Sequence, residues 1–177
     1  MPTIDPTRSL LLIIDFQTRL MPVIHEGEAA VGNARRLIEA ARMLGIPRLF
    51  TEQNPKGLGA TVPELPIDGD RVIHKQFFGA CHEDGFLDHI PADAHVVVVG
   101  CEAHVCVQQT VLGLLAASRK TYVVCDAIGS RAAENKEAAI RRMERHGAEI
   151  VTTEMAVFEW LATAEHPDFR RVTALIK

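Results

Sequence analysis

The stretch "AHVVVVGC" (94–101) constrains the fold more than any other part of this chain. Four consecutive valines leave no polar face, so a strand built from them must be covered on both sides. Strands of that kind belong to parallel sheets sandwiched between helices, and the rest of the chain alternates accordingly. "SLLLIID" (9–15), "RLFTE" (48–52), "RVIHK" (71–75), "KTYVVCD" (120–126) and "AEIVT" (148–152) read as five further strands. Between them, "EAAVGNARRLIEAARMLG" (28–45) sets Val31, Ala34, Leu37, Ile38, Ala41 and Leu44 at steps of three and four, one face of a helix. Gly45 ends it and Pro47 follows as a breaker. "VQQTVLGLLAAS" (107–118), "AENKEAAIRRMERHG" (133–147), 155–161 and 167–176 read as helices, and "NPKGLGATVPELP" (54–66) as a loop. The expected fold is a three-layer α/β/α sandwich around a six-stranded, mostly parallel, Rossmann-like sheet, in one domain over 1–177.

The net charge of −4 and the lack of any basic block argue against nucleic acid or an anionic membrane as partner. The apolar run at the N-terminus ends in Asp15 and lacks a basic region before it, so it reads as a strand and not as a signal peptide. No apolar stretch approaches the ~18 residues that span a bilayer. Four cysteines without a secretory signal suggest reduced thiols, and a cytoplasmic location is the expectation.

In an open α/β sheet, ligands bind beyond the carboxyl ends of the strands. Asp15, Lys75 and Gly100 end three strands, and Cys106 follows at the opening of the next helix, so the functional groups share one sheet edge. A thiol at a helix start feels free N–H groups and the positive end of the dipole, which favour thiolate and can hold an oxyanion. Asp15 can take the thiol proton, and Lys75 can hold the pair. A thiol pKa below the ~8.5 of free cysteine is then expected. Each group also has a plain structural reading: Asp15 as a helix cap, Lys75 as a solvated strand end, Cys106 as a small core residue. Cys101 and Cys125 end their strands and read as packing, and Cys81 lies in a loop. Cys101, His104 and Cys106 are too crowded for a zinc site, and no glycine-rich nucleotide loop is present, so neither metal nor cofactor is expected.

"LLIIDFQ", "HKQFFGAC", "GCEAHVCVQQT" and "DAIGSR", in this order, resemble the isochorismatase-like cysteine hydrolase family from about residue 9 to the C-terminus. The resemblance implies a catalytic triad of Asp15, Lys75 and Cys106. It also implies a cis peptide at Cys101–Glu102 and an oxyanion hole from the backbone N–H groups of Glu102 and Cys106. Metal-dependent nicotinamidases of this superfamily carry an Asp-x-His element after the second strand; this chain has Glu52 and Gln53 there. Zinc-assisted hydrolysis is therefore not expected. The function implied is cleavage of a small amide-type C–N bond through a cysteine thioester. A vinyl ether hydrolase with an idle cysteine and a non-catalytic binding protein on the same fold remain open. Gln17, Phe77 and Phe78 are candidate pocket walls for the small-molecule substrate. Phe158, Trp160, Leu161, Phe169 and Leu175 add apolar surface near the C-terminus, and with the resemblance they suggest a homo-oligomer, a dimer or larger.

Overall fold

The computed structural model describes residues 3–177. Six strands form one sheet: β1 (Ser9–Ile14), β2 (Arg48–Gln53), β3 (Arg71–Lys75), β4 (His95–Cys101), β5 (Lys120–Gly129) and β6 (Glu149–Val151). All pairs are parallel and the order is β3-β2-β1-β4-β5-β6. The chain thus winds outward from β1 in one direction and from β4 in the other. A crevice opens where these two central strands lie side by side.

Period-two alternation sorts the central strands between two cores. Leu11 and Ile13 of β1 and Val97 and Val99 of β4 face one layer, packed by Leu37 and Ile38 of α1 (Gly27–Met43) and by Val157 and Trp160 of α5 (Thr153–Leu161). Leu10, Leu12, Ile14, Val96 and Val98 face the other, packed by Val111 and Leu114 of α3 (Gln108–Ala116) and Met143 of α4 (Ala133–Arg145). The valine run is buried throughout, as a strand with two covered faces must be. Gly45, at φ +69°, follows the end of α1.

Three stretches differ from the sequence reading. The loop at 54–66 opens with a short helix, α2 (Pro55–Leu58), started by a proline suited to a first helical turn. The strand read as 120–126 runs on to Gly129, because its pairing jumps from Val98 opposite Val123 to Gly100 opposite Ile128. The intervening bulge holds Asp126, which accepts hydrogen bonds from the N–H and hydroxyl of Thr153 (2.8 and 2.9 Å). The C-terminal segment reading 167–176 resolves into α6 (Phe169–Thr173) and a 3₁₀ turn, Ala174–Ile176. Trp160 and Leu161 are buried in the chain's own core, whereas Met155 and Phe158 stay exposed. Among the described residues, no helix is long and apolar enough to cross a membrane.

Candidate active site

The carboxyl end of the sheet brings Asp15, Lys75 and Cys106 together from three elements. Asp15 follows β1 with φ +52°, a left-handed conformation that aspartate tolerates better than most residues. Its carboxylate lies wholly out of solvent, with Oδ1 accepting from Thr51 Oγ1 (2.6 Å) and Oδ2 facing Lys75 Nζ at 2.7 Å. Lys75 ends β3, two strands away from β1, and its side chain reaches Asp15. The ammonium also donates to Gln53 Oε1 (2.7 Å) and to the carbonyls of Phe78 (3.2 Å) and Phe77 (3.4 Å). A buried lysine with this set of acceptors is a fixed charge, not a solvated strand end.

Gly100 makes the close approach of β4 to β1 possible. Its φ is +149°, and a Cβ there would clash with the carbonyl oxygen of Ile14. A cis peptide joins Cys101 to Glu102, at the position that the resemblance implied. Beyond it the chain forms a π-helical turn, Ala103–Val107, in which the Glu102 carbonyl accepts from the N–H groups of Val105 (3.1 Å) and Val107 (3.2 Å). Cys106 sits in this turn, immediately before α3, and is 6% exposed.

The thiol is not acidified. Burial is the main cause and the Asp15 carboxylate the next, and together they push it from 9.0 up to about 12; Lys75 opposes them without prevailing. The shift runs opposite to the lowered thiol pKa expected from the sequence. That expectation rested on the lysine and the helix start and could not weigh the loss of solvent around the sulfur. The site thus holds a thiol that keeps its proton, beside the Asp15–Lys75 ion pair. Such a thiol is activated by losing its proton to a neighbouring base during attack.

Gln53 belongs to this constellation and went unrecognised in the sequence. Its Oε1 bridges Lys75 Nζ and the thiol, with Sγ 4.0 Å away. Its Nε2 donates to the carbonyl of Gln76 (2.8 Å). Gln17 braces it from behind: Gln17 Oε1 accepts the Gln53 N–H (2.8 Å), and Nε2 donates to the carbonyls of Gln53 (3.0 Å) and Gly59 (2.6 Å). Gln17 is thus buried, with its amide spent on backbone. Phe77 and Phe78 turn their carbonyls to Lys75 and their rings outward, 57% and 53% exposed. With Gln76, Gly79, His82 and Gln109 they line a groove of about 410 Å³.

Glu52, by contrast, is buried and bonded to Thr61 (2.7 and 2.9 Å), with His74 Nε2 3.2 Å from its other oxygen. Among the described residues, no group of three or more His, Cys, Asp or Glu side chains is disposed to hold a metal ion. All four cysteines are free.

The model of the isochorismatase domain matches residues 9–155. Isochorismatase domain-containing protein 2 of Danio rerio is 35% identical over 170 residues, 95% of this chain and 86% of that protein. Isochorismatase domain-containing protein 1 of the same organism is also 35% identical, over 98% of this chain, which spans only 62% of that relative's length. Among solved structures, MAR1 ribonuclease from Caenorhabditis elegans superposes with a TM-score of 0.91 at 37% identity, covering 98% of this chain and 92% of that one. The YcaC gene product of Escherichia coli, an octameric hydrolase of unknown specificity, gives 0.86 at 21% identity over 98% and 96%, a likeness of fold. With the domain matched across most of its length and this sheet at its centre, the chain belongs to the isochorismatase family of hydrolase folds.

Proposed function

We propose that this protein is a cysteine hydrolase that cleaves a small amide-type C–N bond through a thioester on Cys106. The observation that carries the reading is the buried Asp15–Lys75 pair at 2.7 Å, whose two charges act directly on the Cys106 thiol. As sulfur attacks the substrate carbonyl, Asp15 takes the thiol proton, so no free thiolate need accumulate. The backbone N–H groups of Glu102 and Cys106 hold the oxyanion that forms. Collapse of the tetrahedral species breaks the C–N bond, and Asp15 returns its proton to the leaving nitrogen. Water then adds to the thioester, gives a proton to Asp15, and releases the acid as the thiol recovers its hydrogen. Lys75 and Gln53 hold the carboxylate in place throughout, and the rings of Phe77 and Phe78 flank the approach. No metal and no cofactor takes part in this scheme.

A narrowly exposed sulfur and a net charge of −4 favour a small molecule over nucleic acid, although the similar Caenorhabditis elegans protein is called a ribonuclease. We also propose a homo-oligomer in the cytoplasm. The octamer of the Escherichia coli relative and the exposed Met155 and Phe158 support assembly, and four free cysteines support a reducing compartment. The test is release of acid from a panel of small amides, ureides and carbamates by the intact protein and by Cys106→Ala. Turnover lost in the variant, with an unchanged circular dichroism spectrum, is the expected result. Substantial turnover by Cys106→Ala would overturn the reading and mean that a nucleophile other than Cys106 attacks the amide.

A further inference from the structure

The end of β5 does something that the reaction scheme leaves unused. Because the pairing jumps past the Asp126 bulge, β5 runs beside β4 to its last residue, with Gly129 opposite Cys101. The two residues after Gly129 therefore lie beside the segment that leads to the nucleophile. Both make side-chain contacts to it. The N–H and Nε of Arg131 each donate to Glu102 Oε2 at 3.0 Å, and Ser130 Oγ lies 3.0 Å from His104 Nδ1. The turn is itself tied down, since the Ser130 carbonyl accepts the N–H of His25 (3.0 Å). Glu102 and Ser130 are buried, while the Arg131 side chain is 62% exposed.

We propose that the Ser130–Arg131 turn is a positioning clamp for the Glu102–His104 backbone, and hence for the N–H donors of the oxyanion site. The inference rests on the hydrolase reading above. Glu102 is gripped at its carboxylate by this turn and at its carbonyl by the π-helical turn that carries Cys106. Arg131 bonds to Glu102 and not to Cys106, so its loss should misplace the Glu102 donor more than the sulfur. Arg131 and Ser130 are positioning residues that meet no reacting atom. The plain alternative is an exposed ion pair of no catalytic consequence, and such pairs are common.

Two electrophiles separate these readings. Methyl methanethiosulfonate needs only sulfur: an S–S bond forms and methanesulfinate leaves. Acrylamide needs the oxyanion site as well. Sulfur adds to its β-carbon, the C=C π electrons move to the carbonyl oxygen as an enolate, and the proton held by Asp15 goes to the α-carbon. Rates at Cys106 are measured in protein whose other three cysteines are serine or alanine. Arg131→Ala should slow acrylamide addition about threefold to tenfold, the worth of one charge-assisted hydrogen bond discounted for exposure, and leave the methanethiosulfonate rate unchanged. Ser130→Ala with Arg131→Ala should slow it further, and Arg131→Lys should recover part of the loss. Two rates that stay constant, or change together, in Arg131→Ala would overturn the clamp. If the unsubstituted Cys106 adds acrylamide no faster, relative to methanethiosulfonate, than free cysteine does, the oxyanion site and the hydrolase reading fail before the clamp is tested.

Discussion

Replacing Lys75 with Met keeps most of the stem and deletes one charge from a pair that water does not reach. At 2.7 Å and an effective dielectric of ~20, the attraction between the two charges is about 6 kcal/mol, a ceiling because both groups were desolvated on folding. What the substitution removes is compensation. Asp15 would keep the neutral Thr51 hydroxyl and Cys106 thiol but no opposite charge, so the expected loss of stability is about 3–5 kcal/mol. For a chain of this size that corresponds to a fall in Tm of roughly 6–20 °C. Asp15→Asn should cost less, because the ammonium keeps Gln53 Oε1 and the carbonyls of Phe77 and Phe78. The double variant Asp15→Asn, Lys75→Met removes both charges and should be more stable than the sum of the two losses implies, by about 2–3 kcal/mol. Urea unfolding of the four proteins closes the cycle. Losses that add to within about 0.5 kcal/mol would mean that the two groups do not interact, and the electrostatic account of the site would fall.

Other consequences follow from the same geometry. A thiol raised to about 12 should be alkylated by iodoacetamide at a rate that keeps climbing through pH 9 without a plateau. Asp15→Asn removes one of the causes of that rise and should speed labelling at a given pH, and Lys75→Met should slow it; a plateau near pH 8 would contradict both. Since the native state holds this proton beyond the ordinary 9.0, its contribution to stability is full below pH 9 and is lost as the pH rises towards 12. Gly100→Ala drives a Cβ into the Ile14 carbonyl at φ +149° and should cost at least about 3 kcal/mol, read by thermal unfolding; a near-native Tm would show that β1 and β4 can part there. Elemental analysis of protein purified without chelator should show zinc well below stoichiometric, and near-equivalence would overturn the metal-free scheme.

The sheet was legible because both of its signals are local. Valine and leucine runs mark strands covered on two faces, and a period of three and four marks the helices between them. The meeting of Asp15, Lys75 and Cys106 at one edge was legible for a related reason: each stands at or beyond the end of a strand, and parallel strands deliver such positions to one edge. Gly100 near the end of the valine strand, with Cys106 at the opening of the next helix, gave the third position. What stayed hidden depends on distance in space. Cys125 and Asp126 look like a strand's polar end, and only pairing with β4 carries β5 on to Gly129. Gln53 looks like the polar start of a loop. The one available signal was its place beyond Thr51 and Glu52, on the edge that holds Asp15. The state of the thiol was misjudged because burial, unlike a charge, cannot be counted along a sequence. A buried thiol that reacts slowly with iodoacetamide is thus compatible with a working nucleophile, and a substrate-like electrophile is the more discriminating probe.

The central claim is that an acyl group passes through Cys106, and peptide mass spectrometry of the quenched reaction tests it most directly. The protein is mixed with each member of the amide panel, quenched in acid within the first turnovers, and digested. The expected result is an acyl adduct on the peptide containing Cys106 for any amide that yields acid, absent in Cys106→Ala and strongly reduced in Asp15→Asn. Acid released at an undiminished rate with no adduct on that peptide would contradict it.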